Sequence, residues 1–223
     1  MTGINVPIAT ISESASENKS ASLPLHTMNS KKIIIITAPS GSGKTSITSH
    51  LLREFPQLTF SISATTRPPR KNEVDGKDYY FISEEAFRKK IEKDAFLEWE
   101  MVYAGRYYGT LQTEIERIWN EGKIPVLDID VKGALNVRKK FPEKTLGIFI
   151  QVPSFSILEA RLRKRGTEDN ASIQMRLDKA AYEATYVDYF DAVVMNDVLE
   201  TAQEVTEQLV RTFLEHKDSA GTS

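Results

Sequence analysis

The residues of this chain best suited to chemistry stand together at 38–45, Ala-Pro-Ser-Gly-Ser-Gly-Lys-Thr, one residue after four isoleucines (Ile33–Ile36). Glycines at 41 and 43 let a backbone curl until several N–H groups converge, and a helix starting just beyond adds its partial positive charge. Together these make a cradle for anionic oxygens. Lys44 supplies a point charge for terminal phosphates, and the Thr45 hydroxyl is by type a ligand for Mg²⁺. The pattern is G-x-x-x-x-G-K-[ST], with Ala38 in place of the first glycine. The preceding β-branched run suits a strand buried on both faces of a parallel sheet. Strand, loop and Lys-Thr together imply that Ala38, Pro39, Ser40, Gly41, Ser42, Gly43, Lys44 and Thr45 bind a nucleoside triphosphate.

Four further groups carry chemistry. Leu127–Asp130 reads LDID, an apolar run ending in carboxylates at 128 and 130. An acid at the tip of a strand beside a phosphate loop can hold Mg²⁺, and two acids two residues apart share one side of a strand. Arg67 and Arg70 lie in the Pro-stiffened loop TTRPPR, two guanidinium forks that suit a phosphate monoester, with Tyr79 and Tyr108 as phenolic donors. A solvated basic loop would have the same composition. Glu98 and Glu100 alternate within FLEWEMV (96–102). A carboxylate aimed into a pocket accepts two parallel N–H bonds, the pair that guanine offers at N1 and N2 and adenine does not. The alternation leaves open which glutamate points inward. Finally, Arg161, Arg163, Lys164, Arg165 and Arg176 surround a glycine-containing break. Such a basic hinge could close over a transferring phosphoryl group, or simply decorate helix ends.

These groups need a scaffold, and the hydrophobic pattern supplies one. Apolar runs at 33–37, 123–130, 147–152 and 192–195 read as strands, and 58–63 alternates as one. Helices are expected over 46–55, 111–121, 154–164, 172–187 and 199–214. Strands alternating with helices predict a parallel sheet covered on both faces. The stretch 61–109 breaks the rhythm with three short strand-like pieces around one helix, for which Ser83 followed by Glu84 and Glu85 is a start signal. It reads as a small mixed sheet inserted into the core, a natural place for a second substrate.

Composition excludes several alternatives. Of 223 residues, 29 are Lys or Arg and 31 are Asp or Glu, a formal net charge of −2 that gives no global attraction to a nucleic-acid polymer or an anionic membrane. The chain has no cysteine, so disulfides, thiol catalysis and zinc-cysteine sites are absent. His26, His50 and His216 show no ligand spacing. No apolar run approaches the roughly 20 residues that span a bilayer. Residues 1–30 are Ser-rich, poor in large apolar groups and unlike a secretory signal or an organellar transit peptide. They read as a disordered tail, with Met28 an alternative start, and the cytoplasm is the expected compartment.

From Lys32 to Leu214 the chain resembles the guanylate kinase family. APSGSGKT looks like that family's ATP loop, and S-A-T-T-R-P-P-R, G-K-D-Y-Y-F, F-L-E-W and Y-Y-G-T are similar to its GMP-binding region in order and spacing. The resemblance implies an α/β fold: a phosphate-loop NTPase core with a parallel sheet flanked by helices, an inserted small mixed-sheet GMP-binding subdomain and a helical lid. Its parts would be a core at 31–60, 111–160 and 188–216, a GMP-binding insert at 61–110 and a lid at 161–187, with 217–223 a second tail. It implies that Ser63, Arg67, Arg70, Tyr79, Glu98, Tyr108, Thr110 and Asp130 contact GMP. Arg67, Arg70, Tyr79 and Tyr108 would hold its phosphate, and Glu98 would read guanine with Ser63 and Thr110 near O6. Lys44, Arg161, Arg165 and Arg176 would be catalytic, Asn196 would lie on the adenine side, and Thr45 and Asp128 would serve Mg²⁺. Lys132 departs from the pattern, since many members have glutamine there. The implied reaction is ATP plus GMP giving ADP plus GDP. A non-catalytic interaction domain and a kinase for another small phosphorylated acceptor are the alternatives, and monomer and homo-oligomer both stay open.

Overall fold

Ile33–Thr37 is buried at every position, and a strand shielded on both faces needs neighbours on both edges and helices above and below. The computed structural model, which describes residues 31–103, 105–164 and 169–216, provides them. In chain order its main elements are β1 (Ile33–Thr37), α1 (Lys44–Glu54), β2 (Leu58–Phe60), β3 (Ala64–Thr65), β4 (Tyr80–Phe81), α2 (Glu84–Glu92), β5 (Phe96–Tyr103) and β6 (Arg106–Leu111). There follow α3 (Gln112–Asn120), β7 (Ile124–Asp128), α4 (Val131–Lys140), β8 (Thr145–Gln151), α5 (Phe155–Lys164), α6 (Asn170–Ala184), β9 (Ala192–Met195) and α7 (Leu199–Glu215). The central sheet has the order β2-β7-β1-β8-β9, all parallel, with β1 in the middle.

The four isoleucines divide as period two demands. Ile34 and Ile36 pack with Ile47, Leu51, Val194 and Val210 on the side of α1 and α7. Ile33 and Ile35 pack with Ile115, Leu127, Val137 and Phe149 on the side of α3 and α4. The expected parallel sheet between helix layers is therefore present. The loop after β1 and the tip of β7 lie side by side, because Ile36 is in register with Asp128.

The insert is a four-stranded mixed sheet of order β4-β3-β6-β5, parallel only between β3 and β4. Its core is aromatic: Phe87 of α2 stacks on Phe96 with ring centroids 4.3 Å apart and meets Tyr107 at 5.3 Å. Ser83 caps α2 as expected, its hydroxyl accepting from the Ala86 amide. The strand predicted over 58–63 stops earlier, at Phe60. The Ser61 amide still reaches Val126 O, but that of Ile62 turns to the buried Glu114 carboxylate at 3.1 Å. Glu114 also accepts from the Tyr80 hydroxyl and from Arg117, joining α3 to the root of the insert.

One helix was not anticipated. The segment after LDID, Val131–Lys140, forms α4, started by Asp130, whose Oδ1 accepts from Gly133 N at 2.8 Å. At the other end of the sheet, Lys32 is buried and its Nζ donates to the carbonyls of Phe213, Leu214 and His216, closing the C-terminus of α7. Among the described residues no helix is long and apolar enough to cross a membrane.

Candidate active site

The loop between β1 and α1 has the backbone shape expected of an anion cradle. Gly41 and Gly43 have φ of 97° and 87°, left-handed values that a side chain would strain. Gly43 is the N-cap of α1, so no side chain occupies the helix end, and no acid stands in its first turn. The positive end of the dipole is left for a ligand. Asn196, beyond β9, donates from Nδ2 to Ser42 O at 2.6 Å, and a Cβ on Gly43 would collide with that amide. Lys44 forms an ion pair with Asp128, the acid at the tip of β7.

A cleft of about 420 Å³ opens beside this loop. Ala38, Pro39, Ser40, Gly41, Gly43, Lys44, Thr45 and Asp128 line one end, and Ser63, Tyr79, Glu98 and Tyr108 of the insert, with Asp130 beside Glu98, line the other. Ser42 is buried within the loop. Thr110 lies behind Glu98, and both its amide (2.9 Å) and its hydroxyl (2.6 Å) donate to Glu98 Oε1. The second oxygen faces Gly133, where any Cβ would come within 2.7 Å of it. Burial pushes the Glu98 carboxyl up to about 7; the Thr110 bonds oppose this, while the charges of Asp130 and Glu100 add to it. Glu98 and Glu100 are opposite Thr110 and Tyr108 in the β5–β6 ladder. The two glutamates thus share a face and differ in depth, so the choice posed by the alternation is one of depth and not of side.

Arg67 is held rigidly. Glu73 clamps its guanidinium with two bonds of 2.5 and 2.7 Å, Tyr108 accepts from its Nε at 3.1 Å, and its plane lies 4.8 Å from the Tyr79 ring centroid. Glu73 also accepts from the Arg70 amide, and these bonds hold its carboxyl down at about 2. Arg70 itself is exposed and outside the lining of the cleft.

From the other side α6 sends Arg176 into the cleft, where it donates to the Ser40 hydroxyl of the phosphate loop. Lys179 and Glu183, on the same face of α6, line the cleft as well. Arg161 is placed differently: it donates to Asn196 O (3.0 Å) and Asp197 O (3.3 Å), outside the lining. Arg165 lies outside the described residues.

The architecture and this cleft agree with what comparison finds: the guanylate kinase family model matches residues 30–213. The chain belongs to the guanylate kinase family. It is 46% identical over 183 residues to guanylate kinase of Bacteroides thetaiotaomicron, covering 82% of this chain and 90% of the relative. Identity to that of Salinibacter ruber is 47% over 187 residues, covering 84% and 99%. The crystal structure of guanylate kinase from Anaplasma phagocytophilum is similar with a TM-score of 0.67 at 27% identity, covering 83% and 87%.

Within this guanylate kinase fold, sequence reasoning missed the cleft residues Lys179 and Glu183 and the Arg67 partner Glu73. Glu73 had a visible signal, a lone acid in the cationic loop TTRPPRKNE, three residues after Arg70. Lys179 and Glu183 follow Arg176 at helical spacing, three and seven residues on, so a helical projection from Arg176 would have found them. Among the described residues no group of three or more His, Cys, Asp or Glu could by itself hold a metal ion.

Proposed function

We propose that the chain transfers the γ-phosphoryl group of ATP to GMP, and to dGMP, giving ADP and GDP. The observation that carries this reading is the two-ended cleft. An uncapped helix N-terminus with Lys44 lies at one end, and a buried carboxylate shaped for two N–H donors at the other.

In this reading residues 38–45 cradle the ATP phosphates, with Asn196 fixing the loop on the adenine side. Arg67, Arg70, Tyr79 and Tyr108 grip the GMP phosphate, and Glu98 takes guanine N1–H and N2–H while Ser63, Thr110 and Asp130 complete the pocket. An acceptor-phosphate oxygen attacks the γ-phosphorus, the bond to the bridging oxygen breaks, and the electron pair leaves with ADP. The second pKa of a phosphate monoester is about 6, so the nucleophile is ionised near neutral pH and needs no general base. The chain's task is positioning and charge stabilisation, by Lys44 and Arg176 with Arg161 and Arg165 as further cations. The Thr45 hydroxyl and the Asp128 carboxylate are hard oxygen donors in the same stretch of cleft, a set that suits Mg²⁺. That ion, when bound, neutralises phosphate charge. The compartment proposed is the cytoplasm, as the composition led us to expect, and cell fractionation checks it.

The test is ADP release measured across GMP, dGMP, AMP, UMP and ribose 5-phosphate. GMP and dGMP should be used, with the others at least a hundredfold poorer in kcat/KM, on the order of what stranded polar groups cost. Equal use of AMP would overturn the reading of Glu98, and use of ribose phosphates alone would overturn the nucleotide assignment.

A further inference from the structure

Lys132 is an exposed cation of α4 that the reaction proposed above does not use. It stands in the first turn of α4, two residues after the Asp130 cap, where the helix dipole disfavours a cation. Its Nζ lies 5.7 Å from the centroid of the Tyr182 ring on α6, and the Tyr182 hydroxyl and the Glu100 carboxylate both favour its charge. Tyr182 is fixed in turn by Tyr186, hydroxyl to hydroxyl at 2.6 Å and ring centroids 5.2 Å apart.

The contact sits where three parts of the molecule meet. A second cavity of about 280 Å³ adjoins the main cleft, and its walls come from the insert (Glu100, Met101), the core (Lys132) and α6 (Met175, Tyr182, Glu183). Elsewhere α6 packs Ile173, Leu177 and Ala180 against Leu158 and Leu162 of α5, and it meets the cleft through Arg176 at the loop after β1. A cation–π contact near its C-terminal end, away from the face packed on α5, ties the helix to the core beside the strand that carries Glu98.

We propose that Lys132 is a positioning residue: through the Tyr182 ring it holds α6 against the core beside Glu100, and so sets how firmly the cleft is closed around the acceptor. For the identity of that acceptor the proposal rests on the function given above. A half-exposed cation–π contact is worth a factor of roughly two to five in an equilibrium constant.

The experiment compares wild type with Lys132→Gln, Lys132→Arg, Tyr182→Leu and the Lys132→Gln/Tyr182→Leu double variant. Steady-state kinetics for GMP and ATP are measured together with amide hydrogen exchange of peptides covering 170–184. Lys132→Gln and Tyr182→Leu should each raise the KM for GMP and the exchange of α6 by about two- to fivefold, with kcat moving less. The double variant should be no worse than the single ones, and Lys132→Arg, which keeps the cation over the ring, should behave as wild type. Additive effects in the double variant, or unchanged α6 exchange in Lys132→Gln, would overturn the proposal. A wild-type chain inactive on GMP would instead overturn the proposed function, and the exchange pattern would still decide the role of Lys132.

Discussion

At the scale of single residues the site turns on Glu98, a buried carboxylate held by two donors from Thr110. A group raised to about 7 by burial is half protonated at neutral pH in the free protein. Only the ionised form accepts both guanine N–H groups. The KM for GMP should therefore rise as pH falls below 7, and the ratio of wild-type to Glu98→Gln efficiency should shrink over the same window. Taking that ratio removes the titration of the GMP phosphate itself. The stability consequence has the opposite sense to the usual acid. Between about 4.5 and 7 the folded chain retains a proton that the unfolded chain has lost, so this group costs stability as pH rises through that window. Above pH 7, Glu98→Gln places an NH₂ donor against a guanine N–H. The expected loss of GMP efficiency is roughly 30- to 1000-fold, from about 2–4 kcal/mol for a charge-assisted bond and a stranded donor. Inosine monophosphate, lacking the 2-amino group, should lose much less, and an equal loss for both would contradict the assignment. Glu73→Ala frees Arg67 from its bidentate partner and loosens the turn at Arg70. On the order of a tenfold rise in KM for GMP is expected with the ATP KM unchanged, because misplacing one positioning group costs about that much or more.

At the scale of elements, Lys32 shows how one side chain closes a helix. Its Nζ donates to three carbonyls at the end of α7, the helix that packs beside α1 on one sheet face. Lys32→Met keeps the stem and removes the donors, so about 1–3 kcal/mol should be lost, roughly 2–12 °C in Tm, with kcat unaltered. Calorimetry against turnover checks this; a fall in kcat with no change in Tm would contradict it. The same scale explains what the sequence made legible. The four isoleucines announced β1 because a two-sided buried strand has a composition of its own, and Ser83-Glu84-Glu85 announced α2 because a cap is a local signal. Helix α4 was hidden by its own N-cap: Asp130 was read as the end of LDID, and the helix it starts has only ten residues with three basic ones at its end. The early end of β2 was illegible for another reason. It depends on Glu114, some fifty residues later, taking the Ile62 amide, and alternation does not record a distant side chain.

At the scale of the whole molecule the cleft exists only where core, insert and α6 meet, and each contributes one class of contact. The core gives the anion cradle, the insert the Glu98 carboxylate with Tyr79 and Tyr108, and α6 the cation at Ser40. Motifs located the first two because their residues lie close together in sequence. The α6 contribution was only half legible, since Lys179 and Glu183 gain meaning from how the helix lies across the cleft. The family match begins at residue 30, so removal of residues 1–27 should leave both turnover and Tm unchanged, and a large fall in either would show that the tail contributes. The central claim is phosphoryl transfer from ATP to GMP at the phosphate loop. Its most direct test is to incubate the purified chain with ATP and GMP, quantify ADP and GDP together, and repeat with Lys44→Ala. Equal amounts of ADP and GDP from the wild-type chain, and a folded Lys44→Ala variant at least a thousandfold slower, are expected from the loss of roughly 4 kcal/mol of charge stabilisation. ADP without GDP, or a Lys44→Ala variant turning over at the wild-type rate, would contradict the account.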